Sequence, residues 1–147
     1  MTVEEAIRAR VAGLAAVVAL AATRVYLGKL PQGPTYPCVR VSLVDDPEGY
    51  HLRGADGLPQ ARVQVDAYAL EDSGVDVYAN AAALATAIDG DGAGSGLAGF
   101  AGTIGGGLGA GLEIFGCFRV NRLQRYDPDE LRVLTMTQDY LVSYRRQ

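Results

Sequence analysis

Tryptophan is missing from these 147 residues, histidine occurs once and cysteine twice. So few soft or imidazole ligands leave little material for a metal site. The separation of Cys38 and Cys117, with no C-x-x-C spacing, reads as two buried free thiols rather than a disulfide scaffold or a redox pair. Charge is also sparse: charged residues make up 20% of the chain and the formal net charge is −4. An acidic chain argues against general binding to a phosphate backbone. The longest apolar run, VAGLAAVVALAA from Val11 to Ala22, is too short to cross a bilayer. Its flank sets Glu4 and Glu5 against Arg8 and Arg10, and so lacks the positive charge of a secretory leader. No membrane association is expected, and synthesis in the cytoplasm is.

Half of the chain is apolar, at 49%, which supports a folded chain of one domain, residues 1–147. Thr2 and Glu5 have capping-box spacing and open an apolar stripe through Val3, Ile7, Val11, Leu14 and Val18. One helix is predicted, ending near Ala21. Short strands follow at Arg24–Tyr26 and, after a proline-rich link, at Cys38–Val44. From Gln60 to Leu70, Val63, Val65, Ala67 and Ala69 alternate with Arg62, Gln64, Asp66 and Tyr68, predicting a strand with one dry and one polar face.

Ser73, with Asp76 three residues on, predicts the cap of a second helix, with Val77, Ala81, Leu84 and Ile88 inward and Asp89–Gly90 at its end. Leu112–Leu123 reads as a strand with Leu112, Ile114, Phe118 and Val120 on one side. Leu131–Tyr144 reads as the last strand, with Leu134, Met136, Tyr140, Val142 and Tyr144 together. The predicted class is α+β: a largely antiparallel or mixed sheet of about four strands with two helices on one face. The other face then needs polar side chains or a neighbouring subunit, and Tyr68, Tyr140 and Tyr144 suit an interface.

Most of the 19 glycines fall between residues 90 and 116, and no charge occurs between Asp91 and Glu113. A stable helix is excluded there by backbone entropy. The Walker lysine is absent, and no strand-to-helix setting supports a dinucleotide fingerprint. Three readings stay open for this stretch: a flexible loop at about 90–111, a segment ordered by packing on another copy or partner through Phe100 and Ile104, and a membrane-inserting segment.

No catalytic set emerges. His51 sits among turn residues without an acidic partner in register, and the acidic groups at Asp45–Asp46, Asp89 with Asp91, and Asp127 with Asp129 and Glu130 match no calcium loop. Asp66 and Asp139 lie mid-strand, where Arg62, Arg119 or Arg132 can pair with them across strands. Arg122, Arg125, Arg145 and Arg146 form a local basic patch without any nucleic-acid recognition pattern. No cofactor, metal or specific nucleic acid is expected, and no enzymatic activity.

The order of these pieces resembles the tail-terminator (tail-completion) proteins of long-tailed bacteriophages, prophages and gene-transfer particles. The resemblance rests on four pieces: the first helix running into Arg24-Val25-Tyr26 and Pro31-Gln32-Gly33; His51-Leu52 leading to Arg62-Val63-Gln64-Val65-Asp66; the alanine-rich helix Val77–Ile88; and Tyr126-Asp127-Pro128 followed by the strand ending Asp139-Tyr140-Leu141-Val142-Ser143-Tyr144. It spans residues 1–90 and 112–147; residues 91–111 are more glycine-rich and apolar than the pattern. The resemblance implies a structural protein at the virion's tail–head junction. There it would cap the tail tube as a ring, typically a hexamer, stop tube polymerisation and contact the head–tail connector or stopper protein. Its subunit or partner contacts would involve Arg62, Asp66, Tyr68, Phe100, Ile104, Arg119, Asp139, Tyr140 and Tyr144. The alternatives are another neck component, such as a stopper or adaptor-associated protein, and a small ligand-binding domain or enzyme.

Overall fold

The computed structural model describes residues 1–47, 49–52, 54–55, 59–72, 76–105, 111–127, 129 and 132–146. Helix α1 (Val3–Ala12) starts as the spacing predicts. Thr2 Oγ1 accepts from the Glu5 amide at 3.3 Å, and Glu5 Oε2 accepts from the Thr2 amide at 2.7 Å. This reciprocal cap satisfies two donors that would otherwise be orphaned at the helix start.

The predicted single helix is two. Gly13 closes α1, Leu14 is extended, and α2 (Ala15–Ala21) sets off in a new direction. Glycine is a poor helix former, and the break lets both segments bury side chains: Val3, Ala6, Ile7 and Val11 from α1, Val17 and Ala21 from α2.

Among the described residues six strands form one curled sheet: β1 (Val25–Leu27), β2 (Cys38–Asp45), β5 (Gln60–Leu70), β6 (Gly102–Ile104), β7 (Leu112–Tyr126) and β8 (Val133–Arg146). Their spatial order is β1-β2-β5-β8-β7-β6; β1 is parallel to β2 and the remaining pairs are antiparallel. A separate two-stranded ladder joins β3 (Tyr50–His51) to β4 (Gly54–Ala55). The short strand read at Arg24–Tyr26 is β1, whereas β6, with three residues inside the glycine-rich stretch, is too short to show a period and goes uncounted.

The third helix, α3 (Val77–Asp89), packs on β5 and β8, while α1 packs on β1 and β2 and α2 lies against α3. Asp76 is the cap of α3, accepting from the Ala79 amide at 3.0 Å; Ser73 lies outside the described residues, as does Leu131. The predicted inner face of α3 is buried, with Leu84 and Ile88 fully so. Each such side chain contributes roughly 1.5–3 kcal/mol. The core beneath the helices is completed by Val63, Val65 and Ala67 of β5 and by Leu134, Tyr140 and Val142 of β8.

Part of the glycine-rich stretch folds back on α3. The amides of Leu97 and Ala98 donate to the carbonyls of Ile88 and Asp89 at 2.8 and 3.0 Å, satisfying acceptors that the helix leaves open. Gly90, at φ +75°, lies so close to the Gly96 backbone that a β-carbon would collide with it. Arg10 stacks over Phe100, 4.2 Å from the ring centroid, and donates to the Gly94 carbonyl at 2.9 Å. Residues 106–110 of the stretch are not among those described.

Candidate functional site

The sheet face away from the helices carries a tied set of charges. Asp66 of β5 is fully buried. Its Oδ2 accepts from Arg40 Nη2 at 2.6 Å and Nε at 3.0 Å, and its Oδ1 accepts from Thr137 Oγ1 at 2.6 Å. Gln64 Nε2 adds bonds of 3.0 and 3.1 Å. Register explains the meeting: Arg40 lies opposite Asp66 across β2–β5, and Asp66 lies opposite Thr137 across β5–β8. Cross-strand neighbours on one face are within reach of each other.

A carboxylate so filled with donors is a structural tie rather than a base. Burial pulls the Arg40 guanidinium down, but its hydrogen bonds and attraction to Asp66 outweigh that and raise it overall. Burial, followed by the Asp66 charge, drives the Tyr68 hydroxyl well above the ordinary tyrosine range.

Along the same face, Arg62 Nη2 meets Asp139 Oδ2 at 2.6 Å. The other oxygen of Asp139 is buried without a hydrogen-bond partner. Asp139 lies opposite Gln64 on one side and Asn121 on the other. At one end, Cys38, Tyr68 and Val133 are buried with Tyr26, Leu30, Tyr36 and Leu70 packed around them. The face read as polar is therefore closed over in part by its own chain.

The helix-side face holds a different tie. Tyr140 donates to Asp89 Oδ1 at 2.8 Å, and Arg119 meets Asp89 Oδ2 at 2.8 Å, so β7 and β8 are both fastened to the end of α3. Burial, with the bond to Asp89 next, raises the Tyr140 hydroxyl far above its usual range. Burial also pushes the Cys117 thiol up to about 12, and the Cys38 thiol to about 11. Neither is a nucleophile near neutral pH. Gln138, fully buried, is satisfied when its amide is turned so that nitrogen donates to Ala85 O at 3.2 Å and oxygen accepts from Arg122 at 2.7 Å. Tyr144 donates to the Asp46 carboxylate at 2.8 Å.

The structure thus gathers Arg62, Asp66, Tyr68 and Asp139 on the open face, and Arg119, Tyr140 and Tyr144 on the helix side. Phe100 is buried under Arg10, and Ile104 is partly buried against the core. Arg119 pairs with Asp89 rather than with Asp66 or Asp139. Arg40 and Thr137 escaped the sequence reading. Arg40 alternates with Val39 and Val41, which puts it on the polar face, but only the strand pairing shows that it meets Asp66. Among the described residues no group of three or more His, Cys, Asp and Glu is placed to hold a metal ion, and no helix is long and apolar enough to cross a membrane. The side chain of His51 lies outside what is described.

Exposed apolar surface concentrates in two places. The far half of β7 shows Phe118, Val120, Leu123 and Tyr126, each about half exposed. The sequence put Phe118 and Val120 on one side with Leu112 and Ile114. Register shifts at Ile114/Gly116 and Arg119/Asn121 change which residues share a face, and place Cys117 opposite Val142 and Phe118 opposite Leu141. A bulge adds one residue and so reverses the alternation beyond it. Between α2 and α3 lies the second surface, a groove lined by Leu14, Ala15, Leu20, Ala79 and Ala83.

No curated protein matches the chain. A solved structure titled "Virion of native gene transfer agent (GTA) particle" contains a chain of similar fold, with a TM-score of 0.65 over 97% of this chain and 94% of that one, at 18% identity. A family model described as "Tail completion protein gp17" matches residues 5–143. Since that match runs from the first turn of α1 well into β8 and takes in every element described above, the chain belongs to the tail completion protein gp17 family and is a structural component of a phage-type tail.

Proposed function

We propose that the protein closes the end of an assembled tail tube as a ring, most simply a hexamer, stops its polymerisation and forms the joint to the head–tail connector. The family match over residues 5–143 carries this reading. Its work would be binding rather than turnover. Subunits in a ring meet head to tail, so each must present two different surfaces. The apolar groove between α2 and α3 supplies one such surface, and the open sheet face around Arg62 supplies the other. The charge ties on both sheet faces support the role by holding the sheet rigid. Arg62 is about half exposed on the open face, where a neighbouring subunit would meet it, while its partner Asp139 is buried.

The test is to add purified protein to its tail-tube protein during polymerisation and to measure tube lengths and ends by electron microscopy. Short tubes with a ring at one end are expected. Tubes that grow to normal length with bare ends would overturn the capping role, and binding to connector or portal components alone would make the protein a neck component instead.

A further inference from the structure

The two outer edges of the sheet differ in what they leave unpaired. At β1, Val25 and Leu27 turn their backbone away from β2, yet these groups are mostly taken. The Val25 amide donates to Thr23 O at 2.9 Å, the Val25 carbonyl accepts from Arg8 Nε at 3.1 Å, and the Leu27 carbonyl accepts from the Lys29 amide at 2.8 Å. At the other edge β6 covers only residues 112–114 of β7, and the amide of Gly99 meets the carbonyl of Cys117 at 2.8 Å. Beyond Cys117 no strand of the described residues lies on the outer side of β7, opposite β8. Counting outward from Cys117 through the register shift at Arg119/Asn121, the backbone groups of Arg122, Gln124 and Tyr126 point away from the sheet.

This open edge has one charge. It carries Arg122, which among the described residues meets only the neutral Gln138 amide, and Arg125, while Arg119 is already tied to Asp89; no acidic residue occurs between Glu113 and Asp127, in a chain whose net charge is −4. Such an edge is a template for an added strand. A second copy fits it poorly. Pairing two β7 edges about a twofold axis brings arginines together across the ladder, and like charges in that position destabilise it. The β1 edge has its outward groups occupied, and the acidic end of β2 beyond β1 is only Leu43–Asp45, interrupted by a register shift.

We propose that residues 118–126 of β7 accept an extended, acidic segment of a different polypeptide as an added antiparallel or parallel strand, its backbone pairing with Arg122, Gln124 and Tyr126 and its acidic side chains meeting Arg122 on one face and Arg125 on the other. Main-chain bonds would supply affinity, and the charge pattern would supply selectivity. The proposal stands on the edge geometry and does not depend on tube capping.

The experiment uses the full chain and three labelled probes: a nine-residue peptide of valine and glutamate with two adjacent glutamates at its centre, so that acid falls on both faces of the added strand, the same peptide with lysine for glutamate, and a single-stranded oligonucleotide of similar charge. Fluorescence anisotropy at about 0.1 M salt, where charges separated by more than roughly 10 Å are screened, should show the acidic peptide binding at least about tenfold more tightly than the lysine peptide, equivalent to about 1.4 kcal/mol. On binding, hydrogen exchange should slow at Arg122, Gln124 and Tyr126. Gln124→Pro, which removes one outward amide, should abolish binding. Arg125→Glu, an exposed change that leaves the backbone intact, should weaken it about tenfold by reversing one charge contact. The proposal is overturned by equal binding of the two peptides, by no acidic-peptide binding at millimolar concentration, or by tighter binding of the oligonucleotide. It is likewise overturned if the same amides gain protection with protein concentration alone, which would make a second copy the occupant.

Discussion

Strands β7 and β8 run side by side through a long antiparallel ladder, yet they live in different environments. From Val133 to Tyr140 every residue of β8 is buried, on both faces; from Phe118 to Tyr126 every residue of β7 is exposed, on both faces. Composition does not explain this: the β7 half contains Phe118, Val120, Leu123 and Tyr126, while the β8 half contains Thr135, Thr137, Gln138 and Asp139. Position in the sheet does. β8 has a strand on each side, the helices beneath and the charged network above. Among the described residues the far half of β7 has only β8 beside it. Apolar residues left on an edge point to contact with something else, whereas polar residues inside must be answered by partners from the same chain.

The largest test of that contrast is at the buried end. Asp66→Ala leaves part-buried Arg40 and buried Thr137 without their shared acceptor, and should destabilise the fold by about 3–4 kcal/mol, read from urea denaturation; a loss below about 1 kcal/mol would mean the network is solvated. Next, Leu134→Ala in β8 should cost about 2–4 kcal/mol by removing core contacts.

Alkaline pH tests the buried hydroxyls and thiols. Folding raises Cys117 from an ordinary value of 9.0 to about 12 and raises Tyr140 as well, in each case chiefly through burial. The folded state therefore keeps protons that the unfolded chain gives up. Stability from Cys117 is complete below pH 9 and is lost as pH rises from 9 towards 12, by at most about 1.4 kcal/mol per pH unit for that one group. Denaturation curves at stepped pH should show this decline, and Cys117→Ala should make it shallower. An unchanged slope would show that the thiol is accessible in the fold.

Smaller still is Tyr140→Phe, which removes the bond to Asp89 but leaves Arg119 on that carboxylate. A loss of about 0.5–1.5 kcal/mol is expected. The smallest effect belongs to the exposed side: Leu123→Ala should change folding stability by no more than about 0.5 kcal/mol. If it approached the effect of Leu134→Ala, the far half of β7 would be packed in solution and the contrast between the strands would fail.

Local pattern was enough for several pieces. The reciprocal bonds of Thr2 and Glu5, the alternation in β5 and the Val77, Ala81, Leu84 and Ile88 face of α3 each depend on neighbours within a turn or a strand, so their spacing is visible in one dimension. The α+β class followed from them, and the ordered motifs also carried the likeness to tail-completion proteins. Of the charged ties, Arg62 with Asp139 was among the pairings that strand alternation allowed.

What remained depends on residues far apart in the chain. Gly13 ends α1 where α2 must turn to bury Val17, and nothing in the apolar stripe marks that turn. Two bulges reorganise the faces of β7, because a ladder register is a property of two strands and not of one. Arg40 finds Asp66 only once β2 is laid beside β5, and Asp89, placed by its spacing at a helix end, becomes the anchor for Tyr140 and Arg119 only when α3 settles on the sheet. Above all, whether an arginine- and leucine-bearing strand is interior or edge is decided by how many neighbours the fold gives it. Side-chain periodicity follows from backbone geometry along one element, but burial is a sum over every element that packs around it.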